Sequence, residues 1–167
     1  MVPSTPWLER QIVRSAAPQR ARTVVELGPG TGGTTRALLA AMPESARLLS
    51  VEVNERFVET LRLIDDPRLI PHCGSAADLA AILTEHGLDQ PDTIVSGIPF
   101  SKLDQRLGAA IIDAGHRALA PGGAFVAYQL SRRVERLARP VMGVPEKTIV
   151  WRSVPPIRVF RWEKSAH

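Results

Sequence analysis

The sequence predicts a doubly wound α/β fold, with a mostly parallel seven-stranded sheet and helices on both faces. Three observations predict it. Short β-branched runs alternate with segments of helical periodicity along the chain. The first such run stops at a glycine cluster, Gly28-Pro29-Gly30-Thr31-Gly32, that opens a helix. The 167 residues, 44% of them apolar, suit one domain with a buried core. Residues 1–167 are therefore expected to form a single domain, with 1–20 as an N-terminal helical segment.

Each element has a local reason. Thr5 is a helix N-cap, Pro6 fills the first helical position and Glu9 the first turn. That helix is expected to reach about Ala16 with Leu8 and Ile12 on its apolar face, and Pro18 ends it. Thr23–Leu27 is a strand, and Thr34–Met42 a helix that stops before Pro43. A strand over Arg47–Glu52 precedes a helix over Glu55–Ile64, with Phe57, Leu61 and Ile64 on one face. Leu69–His72 is a short strand, Ala77–His86 a helix, and Thr93–Gly97 a buried strand. A helix from Asp104 to about Leu119, the turn Pro121-Gly122-Gly123 and a strand over Ala124–Leu130 follow. A basic helix is expected over Arg133–Val141. The last two strands, Thr148–Ser153 and Ile157–Trp162, flank Pro155-Pro156, which predicts an antiparallel hairpin at one sheet edge.

Composition narrows the partners. No apolar run approaches the roughly 20 residues that cross a bilayer. Pro3, Pro6, Glu9 and Arg10 interrupt any leader-like segment. The lone cysteine, Cys73, excludes a disulfide framework and agrees with a reducing compartment, so a cytoplasmic protein is expected. A net charge of +4 and a pI near 10.0 favour a polyanionic partner, nucleic acid or an anionic membrane. Lys102, Lys147 and Lys164 are the only lysines. Arginine holds phosphate through paired hydrogen bonds, although a codon bias yields the same composition.

In doubly wound sheets ligands bind beyond the carboxyl ends of the strands, where strand order reverses. The loops starting at Gly28, Glu52, Gly74 and Ser96 are thus expected around one crevice. Glycines let a ligand approach the backbone. Glu26, at the end of its strand, can hold a cationic amino group, and Glu52, ending the next strand, can accept hydrogen bonds from ribose hydroxyls. Gly28, Gly30 and Gly33 also satisfy the dinucleotide pattern G-x-G-x-x-G, but Glu26 would repel a pyrophosphate there. S-adenosylmethionine instead offers an ammonium and a sulfonium, both attracted to carboxylates. The loop favours a methyl donor over a dinucleotide or a purely structural turn.

This loop resembles motif I of the class I S-adenosylmethionine-dependent methyltransferases, whose fold is Rossmann-like. A more specific likeness covers nearly the whole chain. Pro3-Ser4-Thr5-Pro6, Val25-Glu26-Leu27-Gly28-Pro29-Gly30-Thr31-Gly32, Ile94-Val95-Ser96-Gly97-Ile98-Pro99 and Val154-Pro155-Pro156 resemble bacterial phospholipid N-methyltransferases. That family methylates the amine of phosphatidylethanolamine. The resemblance implies that Gly28, Gly30 and Gly32, with Pro29 and Thr31 between them, surround the methionine and ribose of the donor. It gives Glu52 to the ribose and Val53 to the adenine. Ser75 and Ala76 fall on a Gly-Asp-Ala stretch whose acid holds the adenine amine; here that acid is Ser75. Family members carry a membrane-touching helix ahead of the Pro-Ser piece, at which this sequence starts, so attachment by that route is not implied. A peripheral place at the inner membrane face is what the lipid resemblance otherwise suggests.

Methyl transfer from a sulfonium is a displacement that needs an aligned nucleophile. A primary amine, with a pKa of about 10, must first lose a proton. Ser96 and the backbone at Gly97 and Ile98 leave the fourth strand beside the expected methyl position. Tyr128 and Gln129, near the end of the fifth, are placed to orient a phosphate or amine. Ser96 and Tyr128 are the catalytic candidates, although Tyr128 reads more readily as a core residue with a satisfied hydroxyl, and no general base stands out. Ser96-Gly97-Ile98-Pro99-Phe100 also resembles the Asn-x-Pro-Tyr/Phe loop of RNA adenine dimethylases, which makes RNA adenine N6-methylation the second reading. There Phe100 would stack on the base, but Ser96 replaces the amide, and their helical RNA-binding domain has no counterpart in the sequence.

Arg132, Arg136 and Arg139 share one predicted helix face, with Arg133 beside it. That face suits lipid phosphates, an RNA backbone or plain solvent. Trp7, Trp151 and Trp162 mark either an interfacial surface or the edges of the core. His72, His86, His116 and His167 show no metal-ligand spacing, and no metal is assigned.

Overall fold

The structure, a computed structural model, describes residues 5–167. Pro3 and Ser4 of the Pro-Ser-Thr-Pro piece lie outside the described residues. The first helix, α1 (Pro6–Ala16), is capped as its sequence dictates, with Thr5 Oγ1 accepting the Leu8 N–H at 3.3 Å. Ala17 adopts the left-handed region at φ 45°, and Pro18 then starts a single 3₁₀ turn. Leu8 and Ile12 are fully buried. Each contributes about 1.5–3 kcal/mol by leaving water, which holds α1 against the sheet.

Seven strands form one sheet: β1 (Thr23–Leu27), β2 (Arg47–Glu52), β3 (Leu69–Cys73), β4 (Thr93–Ser96), β5 (Ala124–Gln129), β6 (Glu146–Val150) and β7 (Ile157–Glu163). Their order is β3-β2-β1-β4-β5-β7-β6. The first five are parallel, while β7 runs antiparallel to both β5 and β6. The alternation of elements and the edge hairpin thus appear as the sequence predicts. The helices α2 (Gly33–Ala41), α3 (Glu55–Arg62), α4 (Leu79–Glu85), α5 (Gln105–Ala118) and α6 (Arg133–Met142) fill the crossovers. One face of the sheet packs on α1 and α2 through Leu8, Ile12, Leu38 and Leu39. The other packs on α4, α5 and α6 through Leu79, Ile82, Ile111, Ile112, Val134 and Ala138.

Most boundaries shift by one or two residues, and the largest departure is β6, which occupies Glu146–Val150 and not Thr148–Ser153. β7 begins at Ile157, which pairs with Val150, so residues beyond Val150 have no partner strand. They turn instead, with the Ser153 N–H donating to the Val150 carbonyl at 3.3 Å, and leave Trp151 72% and Val154 95% exposed. Trp162 is buried against Phe125 and Phe160, whereas Trp7 stays partly exposed under the guanidinium of Arg152, 4.1 Å from its ring centre. Among the described residues, no helix is long and apolar enough to cross a membrane.

Candidate functional site

β1 pairs with β2 on one side and β4 on the other, so strand order reverses there and the following loops diverge. The parallel ladder continues one step past the strand ends. Gly28 N–H donates to the Val51 carbonyl at 2.9 Å, Gly74 N–H to Glu52 at 3.0 Å, and Gly97 N–H to Leu27 at 2.8 Å. These bonds set the four loops side by side around a cavity of about 380 Å³.

The walls of that cavity are mostly apolar. Gly28 and Gly30 form one wall, Val51, Glu52 and Val53 the next, and Gly74, Ser75 and Ala76 a third. Gly97, Ile98 and Pro99 close it toward β4, with Leu103, Leu107 and Ile111 of the α5 region and Phe57 of α3. Gly28 sits at φ +69°, and a Cβ there would come 2.8 Å from Ile98 Cγ1. Only glycine lets these two loops approach so closely while leaving the crevice open.

Glu52 is the only titratable side chain on the wall among the described residues. It is 8% exposed and accepts hydrogen bonds from the Gly30 N–H (3.2 Å) and the Asn54 N–H (3.1 Å). A carboxylate has about four lone-pair sites, so capacity remains for two vicinal hydroxyls. One carboxylate with spare acceptor sites, apolar walls and bare glycine backbone together make a cavity that a nucleoside carrying an amino-acid chain can enter.

Glu26 is placed differently from the other candidates. It is wholly buried beneath the loop, where Oε1 accepts from Thr35 Oγ1 (2.5 Å) and Ser50 Oγ (2.9 Å). Its Oε2 is buried without a partner. Burial pushes its pKa up to about 7, against the pull of the two hydroxyls. The side chain thus ties β1, β2 and α2 together and, unlike Glu52, does not line the cavity. Pro29, Thr31 and Gly32 belong to the glycine turn without lining the cavity; Gly32, at φ +94°, leads into α2.

Ser96 and Tyr128, expected beside the methyl position, are not on the cavity wall. Ser96 is fully buried, and its hydroxyl accepts the Ile98 N–H at 3.3 Å. Tyr128 is 6% exposed and its hydroxyl meets Thr34 Oγ1 at 3.4 Å. Burial, reinforced by the nearby Glu26 carboxyl, drives the phenol well above its ordinary range and keeps it protonated. A Cβ at Gly97 would run into the Tyr128 hydroxyl, so this tyrosine packs directly behind the loop. Gln129, expected with Tyr128 to orient a phosphate or amine, is 2% exposed, does not line the cavity and spends its amide on backbone. Its Nε2 donates to the carbonyls of Ile98 (2.6 Å) and Tyr128 (2.8 Å), and its Oε1 accepts the Phe100 N–H (3.3 Å). It thereby clamps the 97–100 loop to β5. Phe100 itself is fully buried.

The basic face also takes a defined form. Arg132 pairs with Glu135 at 3.1 Å, and Lys147 reaches the same carboxylate at 3.4 Å. Arg136 and Arg139 are exposed beside them, and Arg133 Nε is buried without a partner.

A doubly wound sheet with β7 inserted antiparallel beside β5, and a glycine turn facing an acid at the end of β2, define the class I S-adenosylmethionine-dependent methyltransferases. The chain has that fold, and its sequence relatives and structural neighbours are S-adenosylmethionine-dependent methyltransferases. No protein-family model matches the chain. It is 33% identical over 127 residues to the ornithine lipid N-methyltransferase of Singulisphaera acidiphila, covering 75% of this chain and 66% of that protein. It is 48% identical over 59 residues to the ribosomal RNA small subunit methyltransferase A of a Bradyrhizobium species, covering 35% of this chain and 20% of that protein. The chain therefore spans just under two thirds of the first of these curated relatives and a fifth of the second. In fold it is similar to the N-methyltransferase NodS from Bradyrhizobium japonicum in complex with S-adenosyl-l-homocysteine. The TM-score is 0.76 at 16% identity, covering 96% of this chain and 89% of that one.

Proposed function

We propose that the chain methylates the amine of a lipid headgroup, phosphatidylethanolamine or its methylated derivatives, at an anionic membrane surface. The observation that carries this reading is the likeness to an ornithine lipid N-methyltransferase across three quarters of the chain. When bound, S-adenosylmethionine supplies an electrophilic methyl group. Gly28 and Gly30 leave room for its chain, Glu52 takes the ribose hydroxyls, and Val53, Ser75 and Ala76 border its base. The amine enters past Gly97, Ile98 and Pro99, whose positions Ser96, Tyr128 and Gln129 fix from behind. No second titratable group lines the cavity among the described residues. Proton loss from the incoming ammonium is therefore assisted by the apolar wall, which disfavours its charged form, and the proton leaves to solvent. Arg136 and Arg139, on the helix that follows β5, supply charge for lipid phosphates.

RNA adenine methylation is the second reading, favoured by the 59-residue likeness to a ribosomal RNA methyltransferase. The buried Phe100 weighs against it, because a ring locked in the core is not offered to a flipped base. Incubation with donor and phosphatidylethanolamine vesicles, followed by mass spectrometry of the extracted lipid, tests the proposal. Mono- or dimethylated headgroups are expected. Unmodified lipid beside N6-methylated adenine in a parallel RNA reaction would reverse the ranking.

A further inference from the structure

Away from the donor cavity, the fold joins two histidines whose spacing in the sequence signals nothing. His72 lies on β3, the edge strand of the sheet, and His86 caps the C-terminus of α4, fourteen positions later. His72 Nδ1 and His86 Nε2 stand 2.9 Å apart with their rings nearly perpendicular, at 88°. Glu85 completes the group: one ligand atom from each of the three residues lies within 4.8 Å of the others. Among the described residues no other such group exists.

We infer that His72, His86 and Glu85 form a binding site for a divalent transition-metal ion of the zinc, nickel or copper type. The chemistry of the donor set is specific, since two imidazoles and one carboxylate suit these ions and not calcium or magnesium. The geometry agrees. Metal–imidazole bonds of about 2.0–2.1 Å to two nitrogens 2.9 Å apart enclose an angle of about 90°. Tetragonal or octahedral coordination takes that angle directly, and tetrahedral zinc takes the same ligands once the two nitrogens open by a few tenths of an ångström, with water in the remaining positions. Both histidines are half-buried and Glu85 is exposed, so the ligands are held while the site stays open to solvent.

Such an ion would tie β3 to the far end of α4. The chain between the two histidines includes Gly74, Ser75 and Ala76, one wall of the donor cavity. The site therefore clamps the 72–86 segment at its two ends, and none of its three ligands lines the cavity.

The test uses the full chain, without a histidine tag and stripped of metal, titrated with Zn²⁺ alone against a chromophoric chelator. One equivalent is expected to bind. His72→Gln and His86→Gln should each weaken it about tenfold or more, as ligand loss does. Glu85→Gln, at an exposed position that does not endanger folding, should weaken it less. Cys73→Ser controls for the neighbouring thiol and should leave binding unchanged. Copper(II) bound to the wild-type chain should show electron-spin coupling to two nitrogens, and zinc should slow amide exchange across residues 74–86. Equal zinc affinity in the wild-type chain and the two histidine variants, or loss of binding with Cys73→Ser, would overturn the site and leave a hydrogen-bonded histidine pair only. Binding without any change in exchange would overturn the clamp.

Discussion

Replacing Glu26 with glutamine tests how the glycine turn is supported. In the folded chain this carboxyl releases its proton near pH 7, whereas its ordinary value is 4.5. Between those values the native state holds one proton more than the unfolded chain. Stability must therefore fall as pH rises, by about 1.4 kcal/mol per pH unit. The contribution is fully present below the unfolded value and lost by the folded one, about 3 kcal/mol in all over that window. Glutamine does not titrate. Its amide oxygen can accept from the Thr35 and Ser50 hydroxyls, while its NH₂ falls where Oε2 is unpartnered. That leaves a fixed cost of about 1–3 kcal/mol, independent of pH. Urea unfolding at a series of values from about pH 5 to about pH 8 separates the two effects, because groups common to both proteins cancel in the difference. The wild-type advantage should shrink with rising pH and level off above about pH 7. A difference that stays constant across the series would show that Glu26 is ionised throughout and that burial does not govern it.

Four further variants probe the site and the basic face beside it. Glu52→Ala should weaken adenosylhomocysteine binding by about 1–3 kcal/mol, through lost hydrogen bonds to a charged acceptor; equal affinity by calorimetry would remove Glu52 from the donor site. Gly97→Ala forces a Cβ against the Tyr128 hydroxyl and should cost about 1–3 kcal/mol of stability. Tyr128→Phe, which removes only a 3.4 Å hydrogen bond between β5 and α2, should keep most turnover; a collapse of kcat with folding intact would return the hydroxyl to catalysis. Arg136→Gln with Arg139→Gln should leave donor binding intact and weaken attachment to anionic vesicles by about 1 kcal/mol per residue. Cosedimentation at low and high salt checks this, and binding that is salt-insensitive and unchanged would make the face a solvated one.

The fold was legible because its signals are local. Thr5 and Pro6 begin α1 without help from elsewhere, and Gly28 to Gly32 can join β1 to α2 only through positive-φ turns. The end of β6 was not legible, because Val150-Trp151 favours a strand and only the start of β7 decides where pairing stops. In the site, Gly28, Gly30, Glu52, Val53, Ser75 and Ala76 come together around one cavity, as strand-end positions in a parallel sheet must. Ser96 and Tyr128 point into the layers beside them, because a residue near a strand end can face the packed side as readily as the crevice. Leu103, Leu107 and Ile111 carry no sign of a ligand in sequence, since a helix face turned to a cavity has the same periodicity as one turned to the core. Gln129 and the His72–His86 pair depend on contacts between distant elements, and no spacing along the chain announces them.

One incubation tests the central claim most directly. Methyl-labelled donor is supplied to the protein with phosphatidylethanolamine vesicles and structured RNA in the same tube, and the label is counted in each after phase separation. The account predicts label in the lipid headgroup and none in the RNA, with the lipid signal reduced in Glu52→Ala at limiting donor. Label confined to adenine would contradict it.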